Sequence, residues 1–162
     1  RKAAERPAML TEAEKRDILE ELEALPQRRA ACIGALNVVQ RHRRWVSDES
    51  VRDIAEFLEM TPDEVDNVAT FYNLIFRRPV GRHVILLCNS ATCWMLGYES
   101  LLDWLKRRLE IELGQTTSDD RFTLLPVVCL GACDRAPALM IDEDLHGPVE
   151  ADTLEALLEQ YP

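Results

Sequence analysis

No stretch of this chain approaches the roughly 20 consecutive apolar residues a membrane-spanning helix needs. Its longest apolar runs, Val84–Cys88 and Val127–Leu130, have the length of strands, so direct membrane insertion is not expected. Arg1–Met9 is charged and lacks an apolar h-region, so no signal-peptide pattern is expected there. No G-x-G-x-x-G follows a strand-like run and no Walker A pattern occurs, leaving nothing to bind a nucleotide within this chain. C-x-x-C is absent, which removes thioredoxin-type dithiol chemistry. Basic residues are scarce relative to acids, 19 against 29, and the net charge of −10 argues against nucleic-acid binding over the whole surface. Internal repeats and low-complexity segments are absent as well.

The 162 residues suffice for one sizeable domain, or a compact domain with a substantial appendage. With 47% hydrophobic and 30% charged residues, a real core is expected. Charge is unevenly spread. Gln27–Val46 holds Arg28, Arg29, Arg41, Arg43 and Arg44 with no acid, whereas Ser47–Asn67 carries eight acids against Arg52 alone. Docking faces of opposite sign would give this count, but so would ordinary solvated helix faces, the simpler reading.

The first half has helical periodicity. Thr11-Glu12-Ala13-Glu14 has the capping-box form, followed by Ile18, Leu22 and Leu25 at helical spacing and closed by Pro26. A second helix is expected from about Arg28 to Gln40, its inner stripe including Ile33, Leu36 and Val39. Ser47 opens a third, with Val51, Ile54, Ala55 and Leu58 inward, and Thr61-Pro62-Asp63-Glu64 caps a fourth. Phe71, Tyr72, Leu74, Ile75 and Phe76 form an aromatic-rich run expected to pack these helices against the second half of the chain. Near Pro79–Gly81 the pattern changes. His83–Leu87 reads as a strand ending at Cys88, then a helix carries Tyr98, Leu101, Leu102, Leu105 and Leu109, and Phe122–Val128 reads as a second strand. Ala138–Ile141 and Leu145–Val149 read as a hairpin around Asp142-Glu143-Asp144, and Leu154, Leu157, Leu158 and Tyr161 mark a closing helix. The expectation is an α+β chain: an N-terminal helical bundle over 1–80, then a thioredoxin-like domain over 81–162 with a four-stranded mixed sheet.

Four of the five cysteines form two pairs, Cys88–Cys93 and Cys129–Cys133, in the pattern C-x4-C, 35 residues, C-x3-C. Each pair follows the carboxyl end of an expected strand. If the strands are neighbours, both loops leave the sheet at one end and the four sulfurs converge. In a reducing compartment such thiols read as a metal site rather than disulfides. Structural zinc prefers C-x2-C knuckles and fits this spacing loosely. A [2Fe–2S] centre, each iron taking two thiolates, fits better. Backbone N–H groups of Asn89–Thr92 and Leu130–Ala132, with the hydroxyls of Ser90 and Thr92, are candidate donors to the sulfurs, and Trp94 and Leu130 are expected to bury the site. Cys93 lies at a helix start, where thiolate is favoured. Cys32, among Ala30, Ala31 and Ile33, reads as a buried inert thiol.

Cys88-Asn89-Ser90-Ala91-Thr92-Cys93 and Cys129-Leu130-Gly131-Ala132-Cys133-Asp134, with Ala136-Pro137-Ala138 after them, resemble the thioredoxin-like [2Fe–2S] ferredoxin family. Val68-Ala69-Thr70-Phe71-Tyr72, Pro79-Val80-Gly81-Arg82-His83 and Gly114-Gln115-Thr116-Thr117 extend the likeness, within that family, to the small iron–sulfur subunits of bacterial respiratory complex I. The resemblance implies one [2Fe–2S] cluster ligated by Cys88, Cys93, Cys129 and Cys133. It also implies a partner subunit that holds FMN and oxidises NADH, contacts with other peripheral-arm subunits, and N-terminal helices that embrace the partner. One electron would pass between flavin and cluster on a side branch. The place implied is cytoplasmic, peripheral to the inner membrane through the complex, with no complete active site and no catalytic residue in this chain. Alternatives are a diaphorase-type subunit of an NAD-linked formate dehydrogenase or hydrogenase, a stand-alone ferredoxin, or a zinc-stabilised interaction module.

Ile54-Ala55-Glu56-Phe57-Leu58 followed by Thr61-Pro62-Asp63-Glu64-Val65 has a helix-turn-helix outline, but Asp63, Glu64 and Asp66 would repel phosphate, leaving a structural helix pair. His42, His83 and His146 are isolated in sequence and read as surface or satisfied residues. Asp142, Glu143 and Asp144 read as turn acids, and Pro137 as a residue that takes either isomer.

Overall fold

Thr11 and Glu14 close a reciprocal box in the computed structural model, which describes residues 9–23 and 25–162. The Thr11 N–H donates to Glu14 Oε2 at 2.7 Å and the Glu14 N–H to Thr11 Oγ1 at 3.2 Å. This starts α1 (Glu12–Glu23), which buries Ile18 while Leu25, beyond it, stays exposed. A 3-10 turn at Arg28–Ala31 precedes α2 (Cys32–Arg43). Its inner face is Cys32, Ala35, Leu36, Val38 and Val39. Ile33 therefore points outward, contrary to expectation, because it is turned about 100° around the helix from Cys32, off the stripe that Cys32, Ala35, Leu36 and Val39 bury. Ser47 caps α3 (Asp48–Leu58) by accepting from the Ser50 N–H, and Thr61 caps α4 (Pro62–Phe71) through a full capping box with Glu64. Val51, Ile54, Ala55, Leu58, Val65 and Ala69 complete the first core.

The Arg-rich and acid-rich segments largely face each other. Arg29 pairs with Glu64, Arg28 with Glu59 at 3.7 Å and Arg43 with Asp53 at 3.9 Å, while Arg77, outside the Arg-rich segment, pairs with Asp48 at 2.7 Å and Asp66 at 2.9 Å. Much of the sequence asymmetry is thus internal pairing. Ile75 joins the core, but Phe71, Tyr72 and Leu74 are exposed rather than packed. The loop bearing Leu74 is pinned: Gln40 donates to the Leu74 carbonyl at 2.8 Å and accepts from the Phe76 N–H at 2.6 Å.

One charged cluster lies inside this helical unit. Glu14, 1% exposed, receives Arg43 Nε at 2.6 Å and Nη2 at 2.7 Å. Asp53 lies 3.9 Å from Arg43, and its buried Oδ2 has no hydrogen-bond partner. Burial, reinforced by Glu14, Glu56 and Glu49, pushes the Asp53 carboxyl up despite Arg43. A raised acid destabilises the fold once pH exceeds its folded pKa. Asp53→Asn is therefore expected to raise the urea midpoint at pH 7, with the gain vanishing as pH falls below the ordinary value of 3.8.

The chain divides into two compact units, the first ending at Pro79 and the second spanning Val80–Pro162. In the second, β1 (His83–Cys88) is followed by a one-turn α5 (Ala91–Met95), α6 (Tyr98–Leu109) and β2 (Phe122–Val127). The hairpin is β3 (Leu139–Ile141) with β4 (Asp144–His146), and α7 (Leu154–Leu158) closes the chain. The hairpin turns at Asp142-Glu143, so Asp144 and not Leu145 opens its second strand, which ends at His146 ahead of Val149. Sheet order is β2-β1-β3-β4, with β1 and β2 parallel and the remaining pairs antiparallel. The mixed sheet follows from chemistry: a βαβ crossover yields parallel neighbours, and a tight turn yields an antiparallel pair. Ile85, Leu87, Leu105, Phe122, Leu124, Leu139, Ile141 and Leu154 fill this second core. Gly81 allows the chain to pass the Asp120 carbonyl, where a Cβ would stand 3.0 Å from oxygen. Thr116 and Thr123 share a hydroxyl bond at 2.7 Å, and Thr117 accepts from the Phe122 N–H at 3.0 Å. These stretches of the family likeness therefore build the entry to β2. Among the described residues, no helix is long and apolar enough to cross a membrane.

Candidate metal centre

β1 delivers Cys88 opposite Val127 of β2, two residues before Cys129. Parallel pairing thus puts both cysteine loops at the carboxyl end of adjacent strands. Cys88 and Cys93 are buried, at 3% and 2% exposure, whereas Cys129 and Cys133 are exposed. The two buried thiols are close enough for each to shift the other's acidity. Ser90 Oγ lies 3.5 Å from Cys88 Sγ. Cys88 Sγ is also 4.0 Å from the carbonyl oxygen of Val128, the residue before Cys129. The end of β1 therefore meets the approach to the second loop at this sulfur. In the second loop the Gly131 N–H donates to Cys129 Sγ at 3.3 Å, with Gly131 at φ +73°. That left-handed backbone is one glycine adopts without strain.

These contacts set the thiol acidities. Burial pushes Cys88 up, but the Ser90 hydroxyl, the Ser90 and Leu130 N–H groups and the Cys93 thiol together hold it below its ordinary value of 9.0. Cys93 goes the other way. Burial and the neighbouring Cys88 sulfur raise it, against the Ala138 N–H and the Ser90 hydroxyl. Cys93 lies within the one-turn α5, where burial is the larger influence on the free thiol.

Among the described residues, no three His, Cys, Asp or Glu side chains gather around one point suited to a metal ion. Cys88 and Cys93 come together as a pair, and two thiolates are what each iron of a binuclear centre takes from protein. The donor set is sulfur throughout, with N–H and O–H groups aimed at it, which suits a thiolate-ligated cluster. Cys32 lies in the first core at 3% exposure, and burial pushes its thiol up, as an inert packing residue requires. The histidines have partners elsewhere: His42 with Asp17 at 2.8 Å, His83 with Asp142 at 2.6 Å, and His146 with Tyr161 at 2.9 Å. Tyr161 also donates to Asp144, and burial followed by this carboxylate pushes its hydroxyl up to about 12.

Trp94 does not cover the site. It is 57% exposed, and Met95, Leu96 and Val128 are exposed beside the loops as well. The one-turn α5 ends before its far face can reach the sheet. Two supports have no counterpart in the sequence expectations. The first is Ala138, whose carbonyl accepts from the Cys88 N–H at 3.2 Å. Ala138 follows Pro137, whose peptide bond is cis. The second support is Gly147, where a Cβ would drive into the Arg135 carbonyl oxygen of the turn that begins at Cys133. Only the residue pattern Ala136-Pro137-Ala138 hinted at the first, and nothing in the sequence marked the second. Gly147→Ala is expected to displace the Cys133 turn and lower iron retention while leaving the N-terminal helices intact. Iron analysis beside far-ultraviolet circular dichroism checks this.

A family model described as thioredoxin-like [2Fe-2S] ferredoxin matches residues 18–162. The chain is 50% identical over 153 residues to the E subunit of the NADH-quinone oxidoreductase of Pseudomonas aeruginosa, covering 94% of this chain and 92% of that relative. It is 47% identical over 152 residues to the counterpart of the same name from Escherichia coli, with the same coverage of 94% and 92%. Among solved structures, an air-oxidized NAD+-reducing [NiFe]-hydrogenase matches with a TM-score of 0.68 at 25% identity. That match covers 78% of this chain and 22% of the hydrogenase chain.

Proposed function

The chain belongs to the thioredoxin-like [2Fe–2S] ferredoxin family, and from that premise we propose that it is an electron-transfer subunit of an NADH–quinone oxidoreductase of the complex I type, its cluster held by Cys88, Cys93, Cys129 and Cys133. The observation that carries this reading is the parallel pairing of β1 with β2, which sets Cys88 opposite Val127 and brings its sulfur to 4.0 Å from the carbonyl oxygen of Val128, the residue before Cys129. A bound [2Fe–2S] cluster supplies one-electron chemistry that no side chain of this chain possesses. Cys88 and Cys93 would hold one iron, and Cys129 and Cys133 the other. The protein's own work is to present four thiolates, satisfy their charge with N–H and O–H donors, and keep one pair from water.

The electron donor would be a partner that holds FMN and oxidises NADH. Exposed Trp94, Met95, Leu96 and Val128 beside the loops support docking against another protein surface. The subunit would sit on the cytoplasmic side, peripheral to the inner membrane through the complex. The hydrogenase likeness favours a second reading, a diaphorase-type subunit of an NAD-linked hydrogenase, although identity there is half that to the oxidoreductase subunits.

Chain purified anaerobically is expected to carry about two irons and two acid-labile sulfides, with an EPR signal on reduction. One zinc and no sulfide would instead indicate the zinc module. Co-purification with the flavin subunit of the oxidoreductase separates the complex I reading from the hydrogenase reading and from a stand-alone ferredoxin.

A further inference from the structure

Ser90 stands at the N-cap of α5, with φ −70° and ψ 164°, yet its side chain makes no cap hydrogen bond. Serine is among the best N-caps because its hydroxyl accepts from the N2 or N3 N–H. Ser47, by contrast, does accept from the N–H three residues on. At Ser90 the hydroxyl turns to sulfur instead, 3.5 Å from Cys88 Sγ, one of the two buried thiols. Thr92, the other hydroxyl of the loop, makes no such contact among the described residues.

We propose that Ser90 is a positioning residue for electron transfer: its hydroxyl donates to the Cys88 thiolate and raises the reduction potential of the cluster that Cys88 helps to hold. The inference rests on the ligand reading above. Its physical basis is charge. Reduction adds one negative charge to a centre that is already anionic, and that charge spreads onto the ligating sulfurs. A hydrogen-bond donor aimed at a sulfur stabilises the reduced state more than the oxidised state. The effect is strongest where water is excluded, and Cys88 and Cys93 are the buried pair. Cys129 and Cys133 are exposed to solvent, which already screens charge there.

The experiment is an EPR-monitored redox titration of the full chain and its Ser90→Ala and Ser90→Thr variants, with iron and sulfide measured on each. The expected result is a more negative midpoint for Ser90→Ala at unchanged iron and sulfide, and a midpoint restored towards the parent in Ser90→Thr. An unchanged midpoint in fully loaded Ser90→Ala overturns the proposal. Absence of iron and sulfide from the parent chain overturns the ligand reading itself, a distinguishable failure. Should Ser90→Ala lose its iron, Ser90→Gly substitutes for it, because glycine is an acceptable N-cap that also lacks the hydroxyl. If both hydroxyl-free variants lose iron while Ser90→Thr keeps it, the hydroxyl holds the cluster in place rather than tuning it, and the proposal is overturned. Loss of iron from all three assigns the position to shape alone and overturns it.

Discussion

Cys88→Ala is expected to cut the iron and sulfide content from about two of each per chain to a small residual fraction. Cys32→Ala should leave both unchanged. The contrast follows from placement rather than burial, because both thiols are 3% exposed. Cys88 ends a strand, receives the Ser90 hydroxyl and two backbone N–H donors, and is held more acidic than an ordinary thiol. Those donors would turn to nothing in the variant, and one iron would keep a single protein thiolate. Cys32 has neither donors nor a second thiol beside it, and burial raises it. Its removal trims one sulfur from a helical core. Iron and sulfide assays with EPR of the reduced chain read the difference. Equal cluster content in Cys88→Ala and the parent would exclude Cys88 as a ligand.

Arg43→Ala is expected to destabilise the helical unit by about 3–5 kcal/mol, the usual cost of stripping one partner from a buried ion pair. The low end applies, since Arg43 is 21% exposed and water can enter where it leaves. The loss is not a lost attraction alone. Glu14, 1% exposed, would keep its charge without its two guanidinium bonds, facing Asp53 with no cation between them. Urea unfolding at pH 7 measures the loss, and adding Glu14→Gln should recover part of it by deleting the stranded charge. The pH dependence has a definite sign. Glu14 is buried, which raises its pKa, but Arg43 and the Thr11 N–H outweigh burial and hold the carboxyl below its ordinary 4.5. Its stabilising effect is therefore present above 4.5 and lost as pH falls through the lower folded value. The deficit of Arg43→Ala against the parent should shrink over that acid range.

Particular residues show what was legible beforehand. Thr11, Ser47 and Thr61 announced three helix starts, since a capping oxygen followed by a periodic apolar face is a local signal. The strand ends at Cys88 and before Cys129 were legible because short apolar runs stop at polar loops. Ile33 failed, because the buried stripe of α2 runs through Cys32 and Ala35 beside Leu36 and Val39, and small apolar residues mark a face less plainly than an isoleucine does. Trp94 failed too: its size suggests burial, but a five-residue helix cannot bring that face to the sheet. Leu145 misled the hairpin, where the turn took Asp142 at φ +53° and released Asp144 into the strand.

The sequence by itself determined four thiols in two short loops, the chemistry they suit, and an α+β order of elements, because spacing and periodicity are local. Tertiary structure decided which sulfurs meet and what touches them. Parallel pairing of β1 with β2 brings Val128 to Cys88, the Ala138 carbonyl accepts from the Cys88 N–H, and Gly147 leaves room for the Cys133 turn. These contacts join residues far apart along the chain, and backbone hydrogen bonds carry no side-chain signature. Only the folded sheet reveals that a serine at a helix cap has turned its hydroxyl to the Cys88 sulfur instead.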